Sequence, residues 1–158
     1  SREDDDDEVA LVRFAMTPNG DSLATLCYSD RFVRLWNTRN TSTWEHVAML
    51  PDERRGGMAW SRDGKLLACA CVADEPTAVK LYDAATGICV AAFEVPSSTH
   101  RSWMLAFSPN AKLCAAGSHG DGDDVLVWDV ETRRHRWSFE GHATYTIDIQ
   151  FSPDSTRL

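Results

Sequence analysis

Val125-Leu126-Val127-Trp128-Asp129 is a short apolar run that ends on a Trp-Asp pair. Its length and its β-branched content read as a buried β-strand. The same phrase stands earlier as Val79-Lys80-Leu81-Tyr82-Asp83, and earlier still as Val33-Arg34-Leu35-Trp36-Asn37. The aromatic positions of the three copies are 46 and 46 residues apart. A second phrase recurs between them: Phe14-Ala15-Met16-Thr17-Pro18, Trp60-Ser61-Arg62-Asp63, Phe107-Ser108-Pro109-Asn110 and Phe151-Ser152-Pro153-Asp154. With Phe14, Trp60, Phe107 and Phe151 taken as equivalent, its spacings are 46, 47 and 44. Two separate markers that keep one period define a structural repeat.

Each period reads as four short strands. The first is expected to hold Val9–Phe14, Leu23–Tyr28, Phe32–Trp36 and Trp44–Leu50. The second is expected to hold Gly57–Trp60, Leu66–Val72, Ala78–Tyr82 and Ile88–Phe93, and the third Trp103–Phe107, Leu113–Gly117, Val125–Trp128 and Arg136–Phe139. A further inner strand, Thr146–Phe151, is expected to open a fourth period. Pro18-Asn19-Gly20 and Arg62-Asp63-Gly64 are tight-turn signals between the first two strands of a period. Ser108-Pro109-Asn110 and Ser152-Pro153-Asp154 occupy the same place. No window keeps a 3.6-residue apolar spacing, so almost no helix is expected.

These phrases resemble the WD40 family of β-propellers. Leu-Trp-Asn, Leu-Tyr-Asp and Val-Trp-Asp stand at the family's Trp-Asp position, and Gly141-His142 stands at its Gly-His position. The resemblance runs from residue 9 to residue 158 and implies four-stranded blades set radially around a channel. The expected fold is therefore all-β, three blades at about 9–50, 56–93 and 101–140, with the first strand of a fourth at 145–158. An acidic tail, residues 1–8, precedes them.

The resemblance also assigns structural positions: Trp36, Asn37, Tyr82, Asp83, Trp128, Asp129 and His142. In the family a His, a Ser or Thr on the second strand, an Asp in the next turn and the third-strand Trp often form a hydrogen-bonded chain. A buried indole N–H needs an acceptor. By position Trp36 is paired with Asp30, while Asp5, Pro51 and Ser98 fill the slots where a His is expected and His100 is displaced. The complete chain of hydrogen bonds is therefore not expected in any blade, and apolar packing must carry more of the stability.

Composition fits a globular domain, with 43% apolar and 25% charged residues. No apolar run approaches the roughly 20 residues of a membrane helix, and no membrane partner is expected. Ser1-Arg2-Glu3 and the four aspartates after them do not read as a secretory leader. The absence of Met at position 1 points to a processed chain or one cut from a longer one. Of the net charge of −8, residues 1–8 carry −5, which leaves the rest nearly balanced and no nucleic-acid partner expected. Asp4–Asp7 suits a basic partner, although such runs are more often solvated termini. The five cysteines, Cys27, Cys69, Cys71, Cys89 and Cys114, lie in apolar stretches, are odd in number, and read as small buried hydrophobes in an intracellular protein.

Loop positions then nominate an interaction rim: Tyr28, Arg31, Arg54, Arg55, Arg101, His119, Asp121 and Asp123. Its mixed charge suits proteins or peptides. The His119-Gly120-Asp121-Gly122-Asp123-Asp124 loop lacks the closing Glu of a calcium loop, and Cys69 and Cys71 have no further ligands at zinc spacing, so no metal is expected. Glu53-Arg54-Arg55-Gly56 is too close to Trp60 to serve as a lipid site. The histidines at 46, 100, 119, 135 and 142 are scattered with no nucleophile elbow or phosphate loop beside them, so no cofactor and no catalytic residue are expected. The leading expectation is a non-catalytic protein-binding scaffold that forms part of a longer propeller. The rival is the regulatory or sensing propeller of a larger enzyme, such as a signalling ATPase or a peptidase. Open blade edges also predict self-association.

Overall fold

A computed structural model of the chain describes residues 11–27, 32–51, 55–71, 78–95, 104–117, 125–139, 146 and 148–158. Twelve strands run in order through three antiparallel sheets, and the described residues contain no helix. Blade 1 holds β1 (Leu11–Met16), β2 (Ser22–Cys27), β3 (Phe32–Asn37) and β4 (Glu45–Pro51). Blade 2 holds β5 (Arg55–Trp60), β6 (Leu66–Cys71), β7 (Ala78–Asp83) and β8 (Cys89–Glu94). Blade 3 holds β9 (Met104–Phe107), β10 (Leu113–Gly117), β11 (Val125–Asp129) and β12 (Arg134–Phe139). Each sheet pairs its strands in sequence order, as up-and-down meanders do.

Strands alternate faces, so a blade has two apolar sides, and blade 2 packs on both. Ala24, Leu26, Val33, Leu35 and Leu50 of blade 1 meet Leu67, Cys69 and Tyr82 of blade 2 in one buried cluster. The other side of blade 2, with Ala68, Ala70, Val79, Leu81 and Phe93, meets Cys114, Ala116, Leu126 and Trp128 of blade 3. Phe93 stacks on Trp128 across that seam, with ring centroids 5.4 Å apart and planes 8° apart. Alanines on the second strands let neighbouring sheets approach closely, while larger side chains on the outer strands fill the widening gap.

The hairpins between first and second strands share one hydrogen-bond plan. Thr17, Ser61, Ser108 and Ser152 each donate an amide to the carbonyl five residues on, at 2.9–3.0 Å. Their hydroxyls accept the returning amides of Ser22, Leu66, Leu113 and Arg157 at 2.9–3.0 Å. Each turn closes through a residue at positive φ: Gly20, Gly64, Ala111 and Ser155. That is a tight turn followed by a left-handed residue, which Gly adopts freely and Ala111 and Ser155 adopt at a cost. Adjacent turns also touch, since Asn110 donates its amide to Ser155 Oγ at 3.1 Å.

Three expectations are corrected here. The expected strand Thr146–Phe151 is not a ladder strand: residues 148–151 carry no strand pairing. They lie against blade 3 through side chains, with Ile149 and Phe151 packed on Ala115, Val125 and Val127. A first strand is held by the second strand of its own blade, and here that pairing goes no further than the rung between Ser152 and Arg157.

The equivalence of Phe14 with Trp60 is also shifted. Met16, not Phe14, precedes the turn and pairs with Leu23, as Trp60 pairs with Leu67 and Phe107 with Cys114. The offset of two residues escapes notice in the sequence because strand residues two apart share a face. Finally, the cysteines are not all buried: Cys69, Cys71 and Cys114 are, whereas Cys89 is exposed on β8. The side chain of Cys27 lies outside the described residues.

Strand bounds differ from expectation by one or two residues at most ends. Val9 and Trp103, which the expected strands included, lie outside the described residues.

Candidate interaction surfaces

The residues assigned by the Trp-Asp phrase close the third strands. Trp36 and Asn37 end β3, Tyr82 and Asp83 end β7, and Trp128 and Asp129 end β11. Opposite each aromatic the outer strand carries a bulge, between Leu35 and Trp36, Leu81 and Tyr82, and Val127 and Trp128. The bulge sharpens the twist of the outer strand and lets a ring settle edge-on: His46 against Trp36 at 5.4 Å and His135 against Trp128 at 6.3 Å. The extra residues are Val47, Val90 and Arg136, two valines and an arginine, so no one side-chain type marks the bulge.

Asp83 and Asp129 staple the turns that follow. Asp83 Oδ1 accepts from the Thr86 hydroxyl at 2.8 Å, the Thr86 amide at 2.9 Å and the Ala85 amide at 3.1 Å. Asp129 Oδ1 accepts from the Thr132 amide at 2.8 Å. These hydrogen bonds, the Thr86 hydroxyl foremost for Asp83 and the Thr132 amide for Asp129, hold both carboxyls below their ordinary range. Asp154 is lowered in the same way by the Ser152 hydroxyl. Asp63 is lowered too: partial burial opposes this, but the Ser61 hydroxyl, the Lys65 amide and the Lys65 charge outweigh it. Burial pushes the Cys114 thiol up to about 12, so it is an inert apolar filler.

The acceptor expected for Trp36 is corrected. Trp36 Nε1 donates to Thr25 Oγ1 at 2.9 Å, the hydroxyl of its own neighbouring strand, and Asp30 lies outside the described residues. The signal was present, a Thr on the second strand two residues after Leu23, but positional reading preferred the turn carboxylate. By register Cys69 and Ala116 occupy Thr25's place in blades 2 and 3, so that particular bond belongs to blade 1.

The rim residues Tyr28, Arg31, Arg54, Arg101, His119, Asp121 and Asp123, together with His142, lie outside the described residues. Arg55 opens β5, and its side chain is likewise outside. The described surface instead shows a different candidate, the side of blade 1 turned away from blade 2. Register places Phe14, Thr25, Arg34 and Met49 in one row across its four strands, with Met16, Leu23, Trp36 and His46 in the next. Phe14 is 70% exposed, Met16 49% and Met49 47%. In blades 2 and 3 the first three strands of the same rows pack against the preceding blade, while the fourth-strand positions Ala92, Cys89, Ser138 and His135 are exposed.

Three meander sheets, packed face to face with one turn plan and one bulge plan, are propeller blades, and their third strands end on Trp-Asn, Tyr-Asp and Trp-Asp. A solved structure, that of U3-55K, superposes with a TM-score of 0.68 at 20% identity, over 89% of this chain and 42% of that one. The fold is that of WD40-type propeller blades. No family model matches the chain. The chain is similar to Superkiller complex protein 8 of Dictyostelium discoideum, 44% identical over 61 residues, which is 37% of this chain and 20% of that protein. It is similar over 80% of its length to Transducin-like enhancer protein 2 of Mus musculus at 26% identity, and to Protein groucho of Drosophila melanogaster at 27%. Those matches span 16% and 17% of the two proteins, so the chain corresponds to a small part of each relative.

Proposed function

We propose that the chain is a non-catalytic protein–protein interaction scaffold, a run of blades within a larger propeller, acting in an intracellular setting. The observation that carries the reading is the open side of blade 1. Phe14 and Met16 are exposed apolar residues at positions whose counterparts, Met58 and Trp60 in blade 2 and Leu105 and Phe107 in blade 3, are packed against a neighbouring blade. An apolar sheet face of this kind marks a contact surface. Likeness to proteins with the same repeats supports the reading, and so does a frame whose turns repeat while their loops vary, which suits the presentation of many specificities. The mixed-charge rim around Arg54, Arg55 and Arg101 is the part proposed to select protein or peptide partners. Buried Cys69, Cys71 and Cys114 are compatible with a reducing compartment.

Light scattering across a concentration range tests the open face. The chain is expected to associate as concentration rises, and Phe14→Ser with Met16→Thr and Met49→Thr to reduce that association. A wild-type chain that stays monomeric with a sharp, concentration-independent melt would sink the reading of that face. The rim is tested separately by co-purification with Arg54→Glu and Arg101→Glu. Proteins that depart from this variant, while its mass profile is unchanged, support a binding rim, and an unaltered set of partners overturns it.

A further inference from the structure

β12 differs from the outer strands of the other two blades in a way the fold does not require. All six of its residues are exposed, and with Arg133 ahead of it the strand carries Arg133, Arg134, His135 and Arg136 in unbroken succession. The structurally equivalent residues show what a blade needs at these places. Arg134 corresponds to Glu45 in blade 1 and Ile88 in blade 2, while Arg136, at the bulge, corresponds to Val47 and Val90. Three blades with the same ladder therefore accept an acid, an apolar residue or a base here.

The charge is also not taken up in ion pairs. Among the described residues the ion pairs are Arg39–Asp21 and Lys65–Asp63, and none involves Arg133, Arg134 or Arg136. Among the described residues the acids beside the strand are Asp129 and Glu131 of the preceding turn; Asp129 is already engaged by Thr132, and the Arg136 charge helps to hold its carboxyl down without forming an ion pair. The Arg136 guanidinium lies 5.2 Å from the centre of the Trp137 ring, which orders it at the surface without neutralising it. β12 ends its sheet, so the side away from β11 offers backbone N–H and C=O groups to any extended chain. Charges on edge strands often serve to repel other edges. That role does not account for β12, because β4 and β8 are edges of the same kind and carry Val47 and Val90 at the position of Arg136. A single-sign edge rejects basic and neutral strands and admits acidic ones.

We propose that the open edge of β12 docks an extended acidic segment of a partner protein, which adds to blade 3 as a fifth strand. Main-chain hydrogen bonds hold such a segment, and Arg133, Arg134 and Arg136 select its charge. This surface is distinct from the rim and from the open face of blade 1, and it stands or falls without them.

The test is fluorescence anisotropy of a labelled peptide of alternating Glu and Thr, titrated with the full chain. Saturable binding that weakens with added salt is expected. Arg134→Glu with Arg136→Glu should weaken it about tenfold, and Arg62→Glu with Lys112→Glu, an equal charge change on the hairpin turns, should alter it by less than about twofold. A peptide methylated on its backbone nitrogens should fail to bind. If circular dichroism shows that the glutamate pair disturbs the sheets, Arg134→Gln with Arg136→Gln replaces it, with roughly a threefold loss expected. Equal losses in both charge-reversal pairs, or undiminished binding of the methylated peptide, would overturn strand addition. A single-stranded oligonucleotide that displaces the peptide and binds more tightly at the same residues would overturn the acidic-peptide assignment in favour of nucleic acid.

Discussion

Met16 in blade 1 and Trp60 in blade 2 hold the same place: each ends a first strand, precedes the turn, and pairs with a leucine of the next strand. Their fates are opposite. Trp60 packs into the seam between blades and donates its indole N–H to the Ala15 carbonyl of blade 1 at 2.9 Å. Met16 is 49% exposed, and Phe14 beside it, the counterpart of Met58, is 70% exposed. Chemistry does not separate the two pairs, since all four side chains are large and apolar. What separates them is the neighbour: a blade face is finished by the next sheet and not by its own strands. The lesson is that in a radial repeat the burial of a residue is a property of the seam.

The comparison is broken or sharpened first by truncation. Trp60→Ala removes a packed ring and an interblade hydrogen bond, and a loss of about 3–5 kcal/mol in urea unfolding is expected. Met16→Ala at the equivalent place is expected to change stability by less than about 0.5 kcal/mol. If Met16→Ala costs as much as Trp60→Ala, the open face is covered in solution and the contrast fails.

A smaller effect distinguishes blade 1 from blade 3 by their third-strand tryptophans. Thr25 accepts from Trp36, while Ala116 stands at the matching place beside Trp128. Thr25→Val should destabilise by about 1 kcal/mol. Ala116→Thr should bring no comparable gain, because Ala116 is wholly buried in the seam with blade 2 and the added atoms crowd it. A two-way denaturation series on both variants checks this. A stabilised Ala116→Thr would show that the hydrogen bond, and not the packing of the seam, limits blade 3.

Much of the fold was legible in the chain. The spacing of 46 and 46 at Trp36, Tyr82 and Trp128, and the Ser-Pro-Asn and Ser-Pro-Asp turns, gave the strand count and the sheet order, because these features are local and recur. The expected strand at 146–151 was not formed, since alternation in the sequence shows a wish for a ladder but not the presence of a partner. The pairing of Trp36 went to Thr25 and not Asp30 because hydrogen-bond choice depends on register, which a two-residue strand period leaves ambiguous. The same ambiguity placed Phe14 where Met16 belongs.

By itself the sequence determined the repeat, the all-β architecture and the turn chemistry, because each rests on residues a few positions apart. Tertiary structure alone decided which of two apolar sides each blade buries, where the bulges sit, and which outer strand is left basic and open. Those depend on what a distant part of the chain brings alongside. Glu45, Ile88 and Arg134 are unremarkable in the sequence, and only their common place on three outer strands shows that β12 is the one that differs.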